Sequence, residues 1–160
     1  MRLLVTGASG LLGSYLLPEL LRDGHNVTAL IRQTPLKEPG VAVVRGDTSL
    51  PGFGIMGPLP PIDAIVHCAG LVSFRDWPEL YLANTLGADN AANLAVELGV
   101  PLFHISTAYV CRNLEEHFSP DDLEVCQLHH NAYETSKTAA ELNLRNKPHL
   151  QYTIIRPSIL

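Results

Sequence analysis

Tyr133 and Lys137 stand four residues apart in the segment Tyr133-Glu134-Thr135-Ser136-Lys137, so on a helix they share one face, a single turn apart. A phenol has an ordinary pKa of about 10 and moves protons poorly at neutral pH unless a nearby cation favours the phenolate. An ammonium at this spacing supplies that cation, and it can also donate a hydrogen bond to a bound ribose. The pair suits acid–base work at a carbonyl or hydroxyl. Spacing alone is a weak signal, because the chain has five Tyr and the pattern arises by chance. Thr107 adds weight: it closes an apolar run over 102–106, where ligand-facing residues of open α/β sheets collect. Its hydroxyl is expected to hold a substrate oxygen against Tyr133. Ser106, one residue earlier in an alternating strand, is expected to point the other way.

A second constellation opens the chain. Thr6-Gly7-Ala8-Ser9-Gly10-Leu11-Leu12-Gly13 lies where an apolar strand meets a helical pattern, and a helix N-terminus there offers unpaired N–H groups and partial positive charge. Gly7 and Gly10 allow a tight turn and close approach to a pyrophosphate, and Gly13 allows close helix–strand packing. The plain alternative is a structural turn, but the strand before it and the helix after it favour dinucleotide binding. Further on, such sites place an acid for the ribose hydroxyls of NAD or a base for the 2′-phosphate of NADP. This sequence has Ile31-Arg32 and no acid, so NADP is expected, with NAD possible and a solvated loop charge as the plain reading of Arg32. Asp47, followed by Thr48, either accepts from the adenine amino group or forms a turn.

These groups need a scaffold that brings the two ends of the chain together. Strands are predicted over 2–6, 27–31, 41–44, 64–67, 102–106 and 152–155, with helices from Leu11, over about 78–98 and over 133–146. Pro18 is expected to kink or locally adjust the first helix. The Pro/Gly-rich stretches 33–40 and 51–61 read as loops. Strands alternating with helices imply parallel pairing, hence an α/β fold with a doubly wound parallel sheet of about six strands in one domain over 1–160.

The formal net charge is −5 with a pI of about 5.7, and the eleven Lys and Arg are scattered, which argues against nucleic-acid or acidic-lipid partners. No apolar stretch reaches membrane-spanning length, and the N-terminus runs straight into a strand. Cys68, Cys111 and Cys126 form no CxxC spacing, so free thiols and a cytoplasmic location are expected. The seven histidines share no ligand spacing, so no metal site is expected. His67 and His104 read as core or cofactor-wall residues. Phe74 and Trp77 either line a substrate entrance or pack, and Glu115, Glu116, Asp121 and Asp122 read as solvated loop.

With Gly7, Gly10 and Gly13 and the Tyr133/Lys137 pair, the chain resembles the extended short-chain dehydrogenase/reductase family, whose members carry an NAD(P)-binding Rossmann fold. His67-Cys68-Ala69-Gly70 is similar to that family's fourth-strand motif, Asn84 to the Asn of its following helix, and Arg156-Pro157 to the Arg-Pro closing its sixth strand. Val72-Ser73-Phe74, Ser106-Thr107-Ala108-Tyr109-Val110 and Ile31-Arg32 most resemble the thioester-reductase and fatty-acyl-reductase ("male sterility") branch. Cys111-Arg112 departs from the aromatic residue and glycine that relatives often carry.

The resemblance implies a hydride-transferring oxidoreductase acting on a small-molecule carbonyl, an acyl thioester or aldehyde first, with Thr107, Tyr133, Lys137 and Asn84 as its catalytic set. Cofactor contacts are then expected from the turn itself (Thr6, Gly7, Ser9, Gly10, Leu11, Leu12, Gly13) and from Arg32, Asp47 and Thr48. The resemblance adds Cys68, Ala69 and Gly70, and finally Ser106, Tyr133, Lys137, Arg156 and Pro157. Relatives usually continue past the Arg-Pro motif into a region that shapes the substrate pocket, so a chain truncated before that C-terminal part is expected. A nucleotide-sugar epimerase or dehydratase with tightly held cofactor, and a non-catalytic NADP-sensing module, are the rival readings. A homodimer is suggested by analogy.

Overall fold

Apolar runs that are buried on both sides give strands without polar alternation, and β1 (Arg2–Thr6) is such a run: Leu3 and Val5 face one layer and Leu4 the other. The computed structural model describes residues 1–36, 38–73, 77–111, 118–123 and 128–158. It also contains β2 (Asn26–Ile31), β3 (Ala42–Arg45), β4 (Ala64–His67), β5 (Leu102–Ile105) and β6 (Tyr152–Ile155). All pairings are parallel, in the order β3-β2-β1-β4-β5-β6. The strand order therefore reverses between β1 and β4, which opens a crevice at their carboxyl ends. The fold is the predicted α/β doubly wound sheet.

Helix α1 (Leu11–Arg22) covers one face, burying Leu17 against Leu3, Val5, Val27 and Ala29. It runs unbroken through Pro18, which sits on its exposed side; the proline costs one backbone hydrogen bond without interrupting the helix. The opposite face is covered by α3 (Gly87–Leu98) and α4 (Ala132–Arg145), whose Ala91, Ala95 and Leu144 pack with Leu4, Ile65 and Leu102. Asn131 caps α4 by accepting the Glu134 N–H at 2.9 Å.

The helix expected over 78–98 is not uniform. A short α2 (Trp77–Leu80) passes into a π-helical turn at Tyr81–Leu86 and then into α3. Such wide turns recur at functional sites. Here the turn brings two consecutive residues to one partner: the Asn84 amide donates to the Ser136 hydroxyl at 2.9 Å and the Thr85 hydroxyl to the Ser136 carbonyl at 3.0 Å. In a regular helix consecutive side chains diverge by about 100°. Apolar periodicity carries no trace of this requirement. Among the described residues no helix is long and apolar enough to cross a membrane.

Candidate active site

The glycine turn is built for backbone contact. Gly7 has φ +69°, and a Cβ there would fall 2.6 Å from the Ala69 nitrogen and the Cys68 carbonyl carbon. At Gly13 a Cβ would meet the Ala8 and Gly7 carbonyl oxygens at 2.4 and 2.5 Å. Gly10 caps α1, its N–H bonded to the Gly7 carbonyl at 3.0 Å, and no acidic residue occupies the helix's first turn. The free N–H groups of that turn fit a pyrophosphate. Thr6 does not join them. Its fully buried hydroxyl pairs with His67 Nδ1 at 2.9 Å and accepts the Ala69 N–H at 3.1 Å, so it pins the exit of β4 against the turn instead of facing a ligand.

A cavity of about 530 Å³ extends from Ser9 and Gly10 toward Arg32, Asp47 and Thr48. Arg32 is exposed there, with its guanidinium 3.5 Å from Asp47 Oδ2. Asp47 takes the turn-forming role: Oδ1 accepts the Ser49 N–H at 2.9 Å and the Ser49 hydroxyl at 2.8 Å, and these bonds hold its carboxyl below the usual range. Sequence reasoning missed Phe53, which anchors this loop. Its backbone sits at φ 59°, a strained position for an aromatic residue, its carbonyl accepts the Asp47 N–H at 2.8 Å, and its ring is buried near His67. A lone aromatic between Gly52 and Gly54 was the available signal.

The second cavity, about 560 Å³, gathers Asn84, Ser106, Thr107, Tyr133, Lys137 and Pro157 at its lining. Lys137 is buried, and its Nζ donates to the Ile105 carbonyl at 2.7 Å. Burial pushes the ammonium down to about 8, opposed by the carboxylate of Glu141. Tyr133 hydrogen-bonds Thr107, but its phenol is raised, first by burial and also by Tyr109. The sequence reading expected Lys137 to lower this phenol; in the structure the group that lowers it is the Thr107 hydroxyl, and the Lys137 ammonium donates to the Ile105 carbonyl. Asn84 is saturated as well: Oδ1 accepts the Leu71 N–H at 2.7 Å, and Nδ2 donates to the Leu71 carbonyl at 2.9 Å and to Ser136. It lines the cavity as a clamp between the segment after β4 and the second turn of α4.

Ser106 borders the same cavity as Thr107, but its Oγ is buried and has no hydrogen-bond partner among the described residues. One expectation needs correction here. Arg156 lines neither cavity. Its guanidinium grips the fully buried Glu141 carboxylate at 2.7 Å, donates to the Asp122 carbonyl at 2.9 Å and lies over the Phe118 ring at 5.2 Å, so it clamps 118–123 to α4. Pro157 does reach the cavity, and its carbonyl accepts the Ala108 N–H at 2.8 Å.

Of the remaining expected contacts, Leu11, Leu12 and Cys68 line the second cavity, and Gly7, Gly10, Ala69, Gly70 and Leu71 border both. The two cavities thus form one trough across the strand ends, with the glycine turn in the middle and the Tyr133/Lys137 pair at one end. Burial pushes the Cys68 thiol up to about 12. His67 and His104 are core residues, stacked with ring centroids 5.4 Å apart, and burial pushes His67 down to about 3 and His104 well below its ordinary value. Among the described residues no cluster of His, Cys, Asp and Glu is placed to hold a metal ion. Phe74, Arg112, Glu115, Glu116, His117 and Cys126, and the Trp77 side chain, lie outside the described residues.

Comparison with known proteins agrees with this geometry. Residues 3–160 match the NAD dependent epimerase/dehydratase family. The hybrid PKS-NRPS synthetase LUC5 of Fusarium sp is 31% identical over 177 aligned positions, covering 96% of this chain and 4% of that protein. The crystal structure of the terminal R domain from the myxalamid PKS-NRPS biosynthetic pathway superposes with a TM-score of 0.81 at 28% identity, covering 98% of this chain and 49% of that one. MoeE5 in complex with UDP-glucose and NAD superposes with a TM-score of 0.74 at 27% identity, covering 96% and 52%. The chain spans about half the length of these solved relatives and a small part of the synthetase.

Proposed function

Because the chain belongs to the NAD dependent epimerase/dehydratase family, we propose that it is an NADP(H)-dependent oxidoreductase that reduces the carbonyl of an acyl thioester or aldehyde. One observation carries this reading: a single trough joins the glycine turn to Thr107, Tyr133 and Lys137. Gly7 and Gly13, where a Cβ would run into backbone of β4's exit and of the turn itself, keep the turn tight enough for its free N–H groups to meet a pyrophosphate. When bound, NADPH supplies a hydride to the carbonyl carbon. Thr107 orients the carbonyl oxygen, and Tyr133 gives it the phenolic proton as charge develops there. Burial raises the phenol above its ordinary value, so proton transfer from Tyr133 calls for a cation beside it. Lys137, freed from Ile105, offsets the phenolate left behind. Arg32 is exposed at the far end of the trough, where a 2′-phosphate would meet it.

The test is a titration of NADPH against NADH followed by turnover of an aldehyde. Tyr133→Phe should lower carbonyl reduction by about 10²- to 10⁴-fold while leaving NADPH affinity within about twofold. Tighter binding of NADH than NADPH would overturn the role of Arg32. The similarity to MoeE5 in complex with UDP-glucose and NAD favours a second reading, nucleotide-sugar epimerisation or dehydration on the same residues. Turnover of a sugar nucleotide with no net NADPH consumption would select it.

A further inference from the structure

The second cavity is polar at its floor and apolar at its rim. Asn84, Ser106, Thr107 and Lys137 are all buried, whereas Leu11, Val72 and Tyr109 are 66%, 70% and 46% exposed. Large apolar side chains held open at the mouth of a site mark a surface that a partner molecule covers. A substrate with a small polar reacting group and an apolar body fits this gradient; a polyhydroxylated body would find few partners at the rim.

Tyr109 is the rim residue that follows Thr107 most closely along the chain. It sits in the short turn Ala108–Val110, fixed at three points: Val110 is fully buried, the Ala108 N–H bonds the Pro157 carbonyl at 2.8 Å, and the Tyr109 N–H bonds the Thr107 hydroxyl oxygen at 3.2 Å. Thr107 also hydrogen-bonds Tyr133, and Tyr109 lies close enough to influence that phenol. The Tyr109 ring is 46% exposed at the mouth of this cavity, and among the described residues its hydroxyl has no hydrogen-bond partner.

We propose that Tyr109 is a specificity-determining residue: its ring closes against an aliphatic chain attached to the carbonyl held at Thr107 and Tyr133, with Leu11 and Val72 completing the apolar rim. The inference rests on the carbonyl-reducing reading of this site. It selects straight-chain aliphatic carbonyls by the length of the chain beyond the reacting carbon.

The experiment titrates propanal, hexanal and decanal by calorimetry into the chain saturated with NADP⁺, so that binding is read without hydride transfer; NAD⁺ takes its place if the phosphorylated form does not bind. Affinity should rise about twofold for each half-buried methylene. Tyr109→Ala should weaken decanal on the order of tenfold and propanal by no more than about twofold, Tyr109→Phe should retain the preference, and cofactor affinity should be unchanged in both. If Tyr109→Ala no longer binds cofactor, Tyr109→Gln, which keeps the length but not the ring, should show the same selective loss. Affinity that ignores chain length in the unaltered protein, or equal weakening of propanal and decanal, overturns the proposal. Propanal reduced by NADPH with no chain-length preference sinks the rim alone; decanal bound selectively with no carbonyl ever reduced sinks the catalytic reading and leaves the rim.

Discussion

Replacing Gly7 with alanine separates two costs that the glycine turn has to avoid. At φ +69° an L-residue adopts the left-handed region, which costs about 1–2 kcal/mol. The new methyl would also stand 2.6 Å from the Ala69 nitrogen and the Cys68 carbonyl carbon, which are backbone atoms at the end of a central strand and cannot swing aside. Overpacking of that kind costs about 1–3 kcal/mol. Gly24 is the built-in control: its φ is +79°, and nothing lies within 4 Å of where its Cβ would be. Gly24→Ala should therefore lose only the conformational part, while Gly7→Ala should lose about 1–3 kcal/mol more, a large share of the roughly 5–15 kcal/mol that holds a domain together. Urea denaturation of both variants, compared at equal m-values, measures the difference. If the two lose the same stability to within about 0.5 kcal/mol, the close contact between β1 and β4 does not constrain this turn and the cradle argument fails.

Three other outcomes follow from the site. Lys137 has a folded pKa of about 8 against an ordinary 10.5, so between those values the unfolded chain binds the extra proton; wild-type stability should rise by about 3 kcal/mol across that window, and Lys137→Met should lack the rise and be the more stable protein below it. Parallel stability curves for the two proteins would show an unperturbed lysine. Asn84→Ala removes both bonds to Leu71 and should speed amide exchange at Leu71 by at least about tenfold, with unchanged exchange there refuting the clamp. Arg156→Met leaves the buried Glu141 carboxylate only Arg145, 4.0 Å away, and should cost up to about 3–5 kcal/mol, most of it recovered by adding Glu141→Leu; a double variant no better than the single one would place the loss elsewhere.

Local chemistry was readable from the sequence. The glycine turn announces itself because strand, turn and helix signals fall within thirteen residues, and the Tyr133/Lys137 spacing needs only one helical turn to bring both into one cavity. What escaped depends on partners distant along the chain. Arg156 looks like a site residue beside Pro157, yet Glu141, on a different element, captures it. Lys137 donates to a carbonyl 32 positions away, a contact that helical spacing gives no hint of. The π turn exists to let Asn84 and Thr85 both reach Ser136, a need set by α4 and invisible in the periodicity of 78–98. Phe53 lay hidden in a stretch dismissed for its prolines and glycines.

The partition between the two cavities is main chain: Gly7, Gly10, Ala69 and Gly70 carry almost no side chain with which to reshape it, and β1 and β4 behind them are the innermost strands of the sheet. Selectivity at either end can drift through single exchanges such as those at Arg32 or Tyr109, while the alignment of one compartment with the other stays fixed. A protein engineer would accordingly find the two ends separately tunable and the middle closed to revision.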